Sequence, residues 1–175
     1  MNLFGRSKFY RKNLKWTDEF VRKNINIIEH NYSSNPYKNK WNCNVHSVHD
    51  YETSNVYRIN YEFLRREYEK VSVEATRKFG IKSFRLGDIW YNYYKKGQYQ
   101  EPHVHDGGSG LTAVHYLIFD PRYHIPTVFD NPKINSPSVK SGDIIFFPDS
   151  FYHHVPKNET NNPRLTIAFT VTCLD

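Results

Sequence analysis

The spacing of apolar residues along the chain changes near residue 80. Before that point it is helical. Between Trp16 and about Asn31, the residues Phe20, Val21, Ile25, Ile27 and Ile28 approximate one stripe of a helix. Thr17-Asp18-Glu19 offers a cap and first-turn acids, and Ser33-Ser34-Asn35-Pro36 marks a stop. Residues 40–49 alternate weakly and predict a strand. A second helix is expected over about 56–79, with Tyr61, Phe63, Leu64, Tyr68, Val71, Val73 and Ala75 apolar and Gly80 as its C-terminal stop. After Gly80 the patterns become those of strands. Residues 81–94 form one long β-like run, broken at Gly87-Asp88, and further runs follow at 111–119, 126–129, 144–147 and 165–172. Turn clusters separate them, among them Asp106-Gly107-Gly108-Ser109-Gly110 and Ser141-Gly142-Asp143. Short strands at this spacing predict a sandwich or barrel, with two N-terminal helices packed outside it: α+β, mainly β.

Length is consistent with a single domain over 1–175, made of a basic arm (1–15), a mainly helical support (16–80) and a β core (81–175). Aromatic residues make up 17% of the chain, so rings must do much of the packing. The net charge of +6 comes partly from the arm, where Arg6, Lys8, Arg11, Lys12 and Lys15 occur without an acid. The arm is expected to be a solvated, partly ordered terminus. Acids and bases mix through the rest of the chain, so a nucleic-acid partner is not expected. The first residues lack the apolar stretch of a signal peptide, no run is long enough to span a bilayer, and there are only two cysteines, Cys43 and Cys173. These features suggest a soluble cytoplasmic protein with reduced thiols.

Histidines carry the chemistry. Six of the nine fall between residues 103 and 154. His103 and His105 lie two apart, so on a strand both face the same way. His153 begins a later strand, after the buried run Ile144-Ile145-Phe146-Phe147 and Pro148. Imidazole nitrogen suits iron, zinc, copper or nickel, and three such ligands leave positions on the metal open. His115 and His124, each taken alone, are expected to be surface or satisfied core residues. Arg164 opens the apolar run 164–169, and Thr166 shares its face. An inward arginine needs an anion. A ligand carboxylate held by the guanidinium and the Thr166 hydroxyl would provide one; an internal acid or an outward side chain is the plainer alternative.

Taken together, several stretches between Trp41 and Phe169 resemble the 2-oxoglutarate- and Fe(II)-dependent oxygenases, in particular a phage-associated and marine-bacterial, prolyl-hydroxylase-like branch. They are Trp90-Tyr91-Asn92-Tyr93-Tyr94, Gln100-Glu101-Pro102-His103-Val104-His105, Leu111-Thr112-Ala113-Val114-His115-Tyr116-Leu117, Thr127-Val128-Phe129-Asp130-Asn131-Pro132, Gly142-Asp143-Ile144-Ile145-Phe146-Phe147-Pro148, His153-His154-Val155, and Arg164-Leu165-Thr166-Ile167-Ala168-Phe169. The resemblance implies a double-stranded β-helix (jelly-roll, cupin-like) core. It also implies Fe(II) and the cosubstrate 2-oxoglutarate, with O2 as co-reactant and hydroxylation of a peptidyl side chain or small metabolite as the outcome. His103 matches the first metal ligand, His153 the distal ligand, Arg164 the oxoglutarate anchor and Thr166 the hydroxyl residue that often follows it. Tyr93 or Tyr94 matches a cosubstrate-touching tyrosine.

The departure is at the second ligand, where the usual carboxylate is His105. That leaves one more positive charge on the metal and should weaken Fe(II) retention. His105 is favoured over Asp106, and the choice between His153 and His154 stays open. A cupin-like three-His metalloprotein that does not use 2-oxoglutarate, and a non-catalytic jelly-roll binding module, are the competing readings. Phage origin with action in the host cytoplasm, and homodimerisation, are compatible with the resemblance.

Overall fold

Two antiparallel sheets enclose the histidines, in a computed structural model that describes residues 8–34, 43–50, 57–105 and 110–175. The elements in chain order are β1 (Tyr10–Asn13), α1 (Thr17–Ser34), β2 (His46–His49), α2 (Tyr61–Phe79), β3 (Phe84–Tyr94), β4 (Gln100–His103), β5 (Gly110–Ile118), β6 (Val128–Asn131), β7 (Lys133–Ile134), β8 (Asp143–Pro148), β9 (Tyr152–Val155) and β10 (Arg164–Cys173). The larger sheet has the order β1-β8-β5-β10-β3-β2, and the smaller has the order β4-β9-β6-β7. This is the expected mainly β architecture with a two-sheet core and two N-terminal helices.

Strand alternation divides the larger sheet into two working faces. On β10, Leu165, Ile167 and Phe169 join the core that the helices cover, where Phe169 stacks on Tyr68 of α2 at 4.4 Å. Thr166 and Ala168 look instead toward the smaller sheet, beside Trp90, Asn92 and Tyr94 of β3 and Thr112 and Val114 of β5. The helix-facing side is not purely apolar. His115 on β5 is fully buried between Thr17 Oγ1 (2.8 Å) and Tyr68 Oη (2.9 Å). Because the Thr17 hydroxyl donates to the Leu14 carbonyl, His115 Nε2 donates to Thr17 and Nδ1 accepts from Tyr68. One neutral imidazole thus ties both helices to the sheet, the satisfied core role expected of it. His124 is likewise engaged, with the Asp120 N–H and the Asn162 carbonyl.

The ends of α2 follow the sequence. Asn60 Oδ1 accepts from the Phe63 N–H at 3.0 Å, and Gly80, at φ 78°, takes the left-handed closing conformation. The helix starts at Tyr61 rather than near 56, because Asn60 is its cap and residues 57–60 run without regular structure.

Two expectations are corrected. Gly87-Asp88 does not break β3. The two residues sit between the pairs Leu86↔Val171 and Ile89↔Phe169, opposite Thr170 alone, so they form a β-bulge within a continuous strand. A Cβ at Gly87 would fall 2.1 Å from Thr170 Oγ1, which explains the glycine. The basic arm is also not simply solvated. From Tyr10 to Asn13 it pairs with β8 as an edge strand, in the register Tyr10↔Phe146 to Asn13↔Asp143. Its polar groups have partners: Tyr10 and Lys12 bind Glu74, and Arg11 binds the Ser138 carbonyl. The adjacent cations Arg11 and Lys12 suit an edge that must not recruit another strand. Arg6 lies outside the described residues, as do residues 40–42 of the predicted first strand, whose remainder yields β2 at His46–His49. Among the described residues, no helix is long and apolar enough to cross a membrane.

Candidate metal centre

β4 and β9 pair antiparallel, with His103 directly opposite His153. His105 follows β4 by two residues, and its backbone N–H donates to the Asp149 carbonyl at 3.3 Å. The three rings face one another, with centroids 4.4 Å apart for His103 and His153, 5.2 Å for His103 and His105, and 5.4 Å for His105 and His153. One nitrogen from each ring lies within 4.8 Å of the others. The structure therefore brings together the three histidines singled out in the sequence. Strand alternation turns the neighbouring His154 outward, where its Nδ1 meets Asp130 Oδ2 at 2.6 Å. Asp106 and residues 107–109 of the glycine-rich loop lie outside the described residues.

Backbone carbonyls orient two of the rings. His103 Nδ1 is 2.9 Å from the Glu101 carbonyl, and His153 Nδ1 is 2.7 Å from the Phe151 carbonyl. A carbonyl only accepts, so both Nδ1 atoms carry the proton and Nε2 offers the lone pair. This is the outer-shell arrangement typical of metal-binding histidine. Burial holds the imidazoles neutral. It lowers the pKa of His103, takes that of His105 down to about 4 and that of His153 to about 3, and their mutual repulsion adds to the effect at His105 and His153. Trp90 closes one side of His105, with ring centroids 5.6 Å apart, and stacks in turn on His49.

Arg164 begins β10 and is only 2% exposed. Its guanidinium sits among the rings of Tyr94, Tyr116 and Phe119, at 5.4, 5.6 and 5.5 Å. Nη1 donates to the Ile125 carbonyl at 2.7 Å, whereas Nε and Nη2 are buried with no hydrogen-bond partner. Burial lowers its pKa, although an arginine still keeps its charge. The loop 120–126 thus covers the guanidinium end of the site. Asn158 donates to the Tyr94 and Asn162 carbonyls, the second of which also meets His124.

Of the two tyrosines, only Tyr94 lines the cavity, beside Thr166, with its hydroxyl donating to Gln100 Oε1 at 3.2 Å. Tyr93 is corrected: alternation sends it to the helix-facing side, where its hydroxyl donates to Glu29 at 3.1 Å and its ring packs against Tyr32. The cavity between the two sheets is narrow, with about 20 Å³ of free volume. Its wall includes groups that sequence reasoning passed over, namely Asn92, Gln100 and Thr112. Asn92 Oδ1 and Thr112 Oγ1 are buried without partners. The available signal was a polar residue on a buried strand face, two positions before Tyr94 in the case of Asn92.

The donor set fits a divalent transition metal, since three neutral imidazoles converge. The two unpaired N–H groups of Arg164 fit a carboxylate.

Comparison with known proteins agrees with this geometry. The family profile described as "Putative 2OG-Fe(II) oxygenase" matches residues 119–170. A Pseudomonas putida prolyl-4-hydroxylase superposes with a TM-score of 0.68 at 11% identity, covering 97% of this chain and 95% of that one. The fold is that of the 2-oxoglutarate- and Fe(II)-dependent oxygenases. Within this oxygenase fold, a viral collagen prolyl hydroxylase from Paramecium Bursaria Chlorella virus-1, in its 2OG complex, gives 0.66 at 14% identity over 97% and 98% of the two chains. HygX from Streptomyces hygroscopicus, with nickel and 2-oxoglutarate bound, gives 0.65 at 13% identity over 96% and 83%. No curated protein matches the chain by sequence.

Proposed function

We propose that the protein is an Fe(II)- and 2-oxoglutarate-dependent dioxygenase that hydroxylates a peptidyl side chain or small metabolite. One observation carries this reading. Arg164 is buried with two unpartnered nitrogens and sits over the ring of Tyr94, which lines the cavity that also holds three converging histidines. A buried cation without an internal anion is costly, and a dicarboxylate reaching from the metal would supply the missing charge.

In this reading His103, His105 and His153 hold Fe(II) on one side. Arg164 and Thr166 hold the distal carboxylate of 2-oxoglutarate, and Tyr94 packs against it. When bound, the metal and cosubstrate supply the oxidation, in which O2 converts 2-oxoglutarate to succinate and carbon dioxide while the substrate gains a hydroxyl group. The chain's part is to orient and to exclude water. The Glu101 and Phe151 carbonyls keep Nε2 of His103 and His153 as the donor atoms. Trp90, Val114 and Ala168 make one wall of the site apolar. Tyr94, Tyr116 and Phe119 shield the guanidinium, so its attraction for an anion is not diluted by water.

The replacement of a carboxylate by His105 favours a second reading, a three-His oxygenase that needs no 2-oxoglutarate and uses Arg164 for a substrate carboxylate. The two separate in one assay: Fe(II)-loaded protein is given O2 with and without 2-oxoglutarate, and succinate is measured. Succinate formation that is lost in Arg164→Met supports the dioxygenase. Oxygen uptake that ignores 2-oxoglutarate supports the second reading.

A further inference from the structure

We propose that His105 makes metal binding and dicarboxylate binding strongly interdependent, so that neither ligand is held tightly without the other. The inference rests on the dioxygenase reading and concerns how that site assembles. Its ground is the charge inside the cavity. The three imidazoles bring no negative charge. Among the described residues, no carboxylate lines the cavity. Of the acids beside the metal ligands, Glu101 and Asp149 do not line the cavity, and Asp106 lies outside the described residues. Glu101 gives His103 its backbone carbonyl, and its carboxylate, with Oε2 buried and without a hydrogen-bond partner, lies close enough to act on His103 but does not line the cavity, which Gln100 and His103 face from β4. Asp149 gives His105 its backbone carbonyl, and its carboxylate, whose Oδ1 is buried without a hydrogen-bond partner, does not line the cavity. Beyond Tyr94, Arg164 adds a positive charge that forms no ion pair among the described residues.

A divalent ion entering this cavity alone would bring the buried charge to three positive units. That state is expensive in a desolvated site. A dicarboxylate entering alone would meet Arg164 but would leave its other carboxylate among three neutral rings. Together, metal and dianion leave one net positive charge, and every charged group has an opposite neighbour. A carboxylate at position 105 would do part of this neutralisation before the dianion arrives. With His105 the task passes to the small molecule, and the coupling must act equally in both directions.

The test uses the full-length protein without oxygen. Competition with a chromophoric chelator gives the Kd for Fe(II) alone, with saturating 2-oxoglutarate, and with succinate, which can reach Arg164 but chelates poorly. The expected result is a tightening of about 30–100-fold by 2-oxoglutarate, in the upper part of the usual range for coupled sites, and a smaller effect of succinate. The Kd for 2-oxoglutarate, measured by calorimetry with and without metal, should shift by the same factor, and this half needs no variant. His105→Asp should bind Fe(II) alone about tenfold more tightly and keep less than about fivefold coupling. Asp106→Asn should behave as wild type. Coupling below about fivefold in the wild type, undiminished coupling in His105→Asp, or weaker metal binding in Asp106→Asn would overturn the inference. Two ligands that bind well but independently sink this inference and leave the dioxygenase reading intact. Failure of 2-oxoglutarate to bind at saturating metal sinks both.

Discussion

Arg164 and Tyr94 face each other as direct partners on β10 and β3, and the guanidinium carbon lies 5.4 Å from the centre of the Tyr94 ring. The same guanidinium has two N–H groups with no partner. Arg164 is thus kept charged in a dry aromatic cage at a cost to the folded state. Replacing it with Met should leave the protein without bound ligand as stable or more stable, with a rise in Tm equivalent to about 1–3 kcal/mol, because a buried uncompensated charge is removed. The same variant should lose 2-oxoglutarate affinity by at least about 100-fold, and Arg164→Lys should recover little, since an ammonium lacks the two-pronged geometry. Thermal melts and calorimetry on the three proteins check both parts. A large loss of stability in Arg164→Met would contradict the cage interpretation.

His153 and His154 are adjacent but serve opposite faces of β9. His153→Ala should abolish measurable metal binding. His154→Ala removes only a partly exposed contact with Asp130 and should change metal affinity by less than about threefold, with a stability cost below about 1 kcal/mol. Equal losses in both variants, read by metal titration, would mean that the two faces of β9 are not separated as described.

Acid should destabilise the protein over a defined window. Burial takes the pKa of His115 from 6.5 down to about 3. Above pH 6.5 the ring is neutral both folded and unfolded, so it adds no pH dependence there. As pH falls below 6.5, the unfolded chain takes up a proton that the folded chain refuses. Stability is therefore lost progressively toward pH 3. Melting curves should be flat above pH 6.5 on this account and fall below it. His115→Gln should melt lower overall, having lost bonds to Thr17 and Tyr68, but with a shallower slope between pH 6.5 and 4. An unchanged slope would assign the acid sensitivity to other groups.

Gly87 and Thr170 form a testable pair at the bulge. Gly87→Ala places a methyl group 2.1 Å from Thr170 Oγ1 and should cost about 1–3 kcal/mol. Thr170→Ala in the same chain should restore part of that loss, because the clash is with the hydroxyl. A double-mutant cycle in denaturant measures the coupling. Simple additivity would show that the strand relaxes without meeting Thr170.

The sequence was most readable where one periodicity had one cause. Tyr61, Leu64, Tyr68, Val71 and Ala75 and the terminal glycine of α2, and the alternation of β10, appear in the structure as expected, although Val73 is exposed and Phe63 only partly buried. The pairing of His103 with His105 was legible in their spacing, because a two-residue step on an extended chain keeps one face, whereas His153 was separated from His154 only by the register of β9 against β4. Other features depended on tertiary partners. The segment Tyr10–Asn13 carries too much charge to look like a strand, and becomes one because the edge of β8 is available, Glu74 meets Lys12 and the Ser138 carbonyl meets Arg11. Gly87-Asp88 resembles a stop until Thr170 is seen opposite. Tyr93 and Tyr94 are equivalent as letters, and only the register of β3 against β10 sends one to Glu29 and the other to Arg164. Asn92 and Thr112 gave no signal beyond a polar residue in an apolar run, since their unpartnered atoms are visible only once both sheets are in place.

The central claim is that three imidazoles and one guanidinium serve a single metal–dicarboxylate pair. Its most direct test is anaerobic visible spectroscopy of the Fe(II)-loaded protein during titration with 2-oxoglutarate. The account predicts a saturable charge-transfer absorption that appears only with both components and disappears in His153→Ala. No absorption change in the wild type, with Fe(II) demonstrably bound, would contradict it.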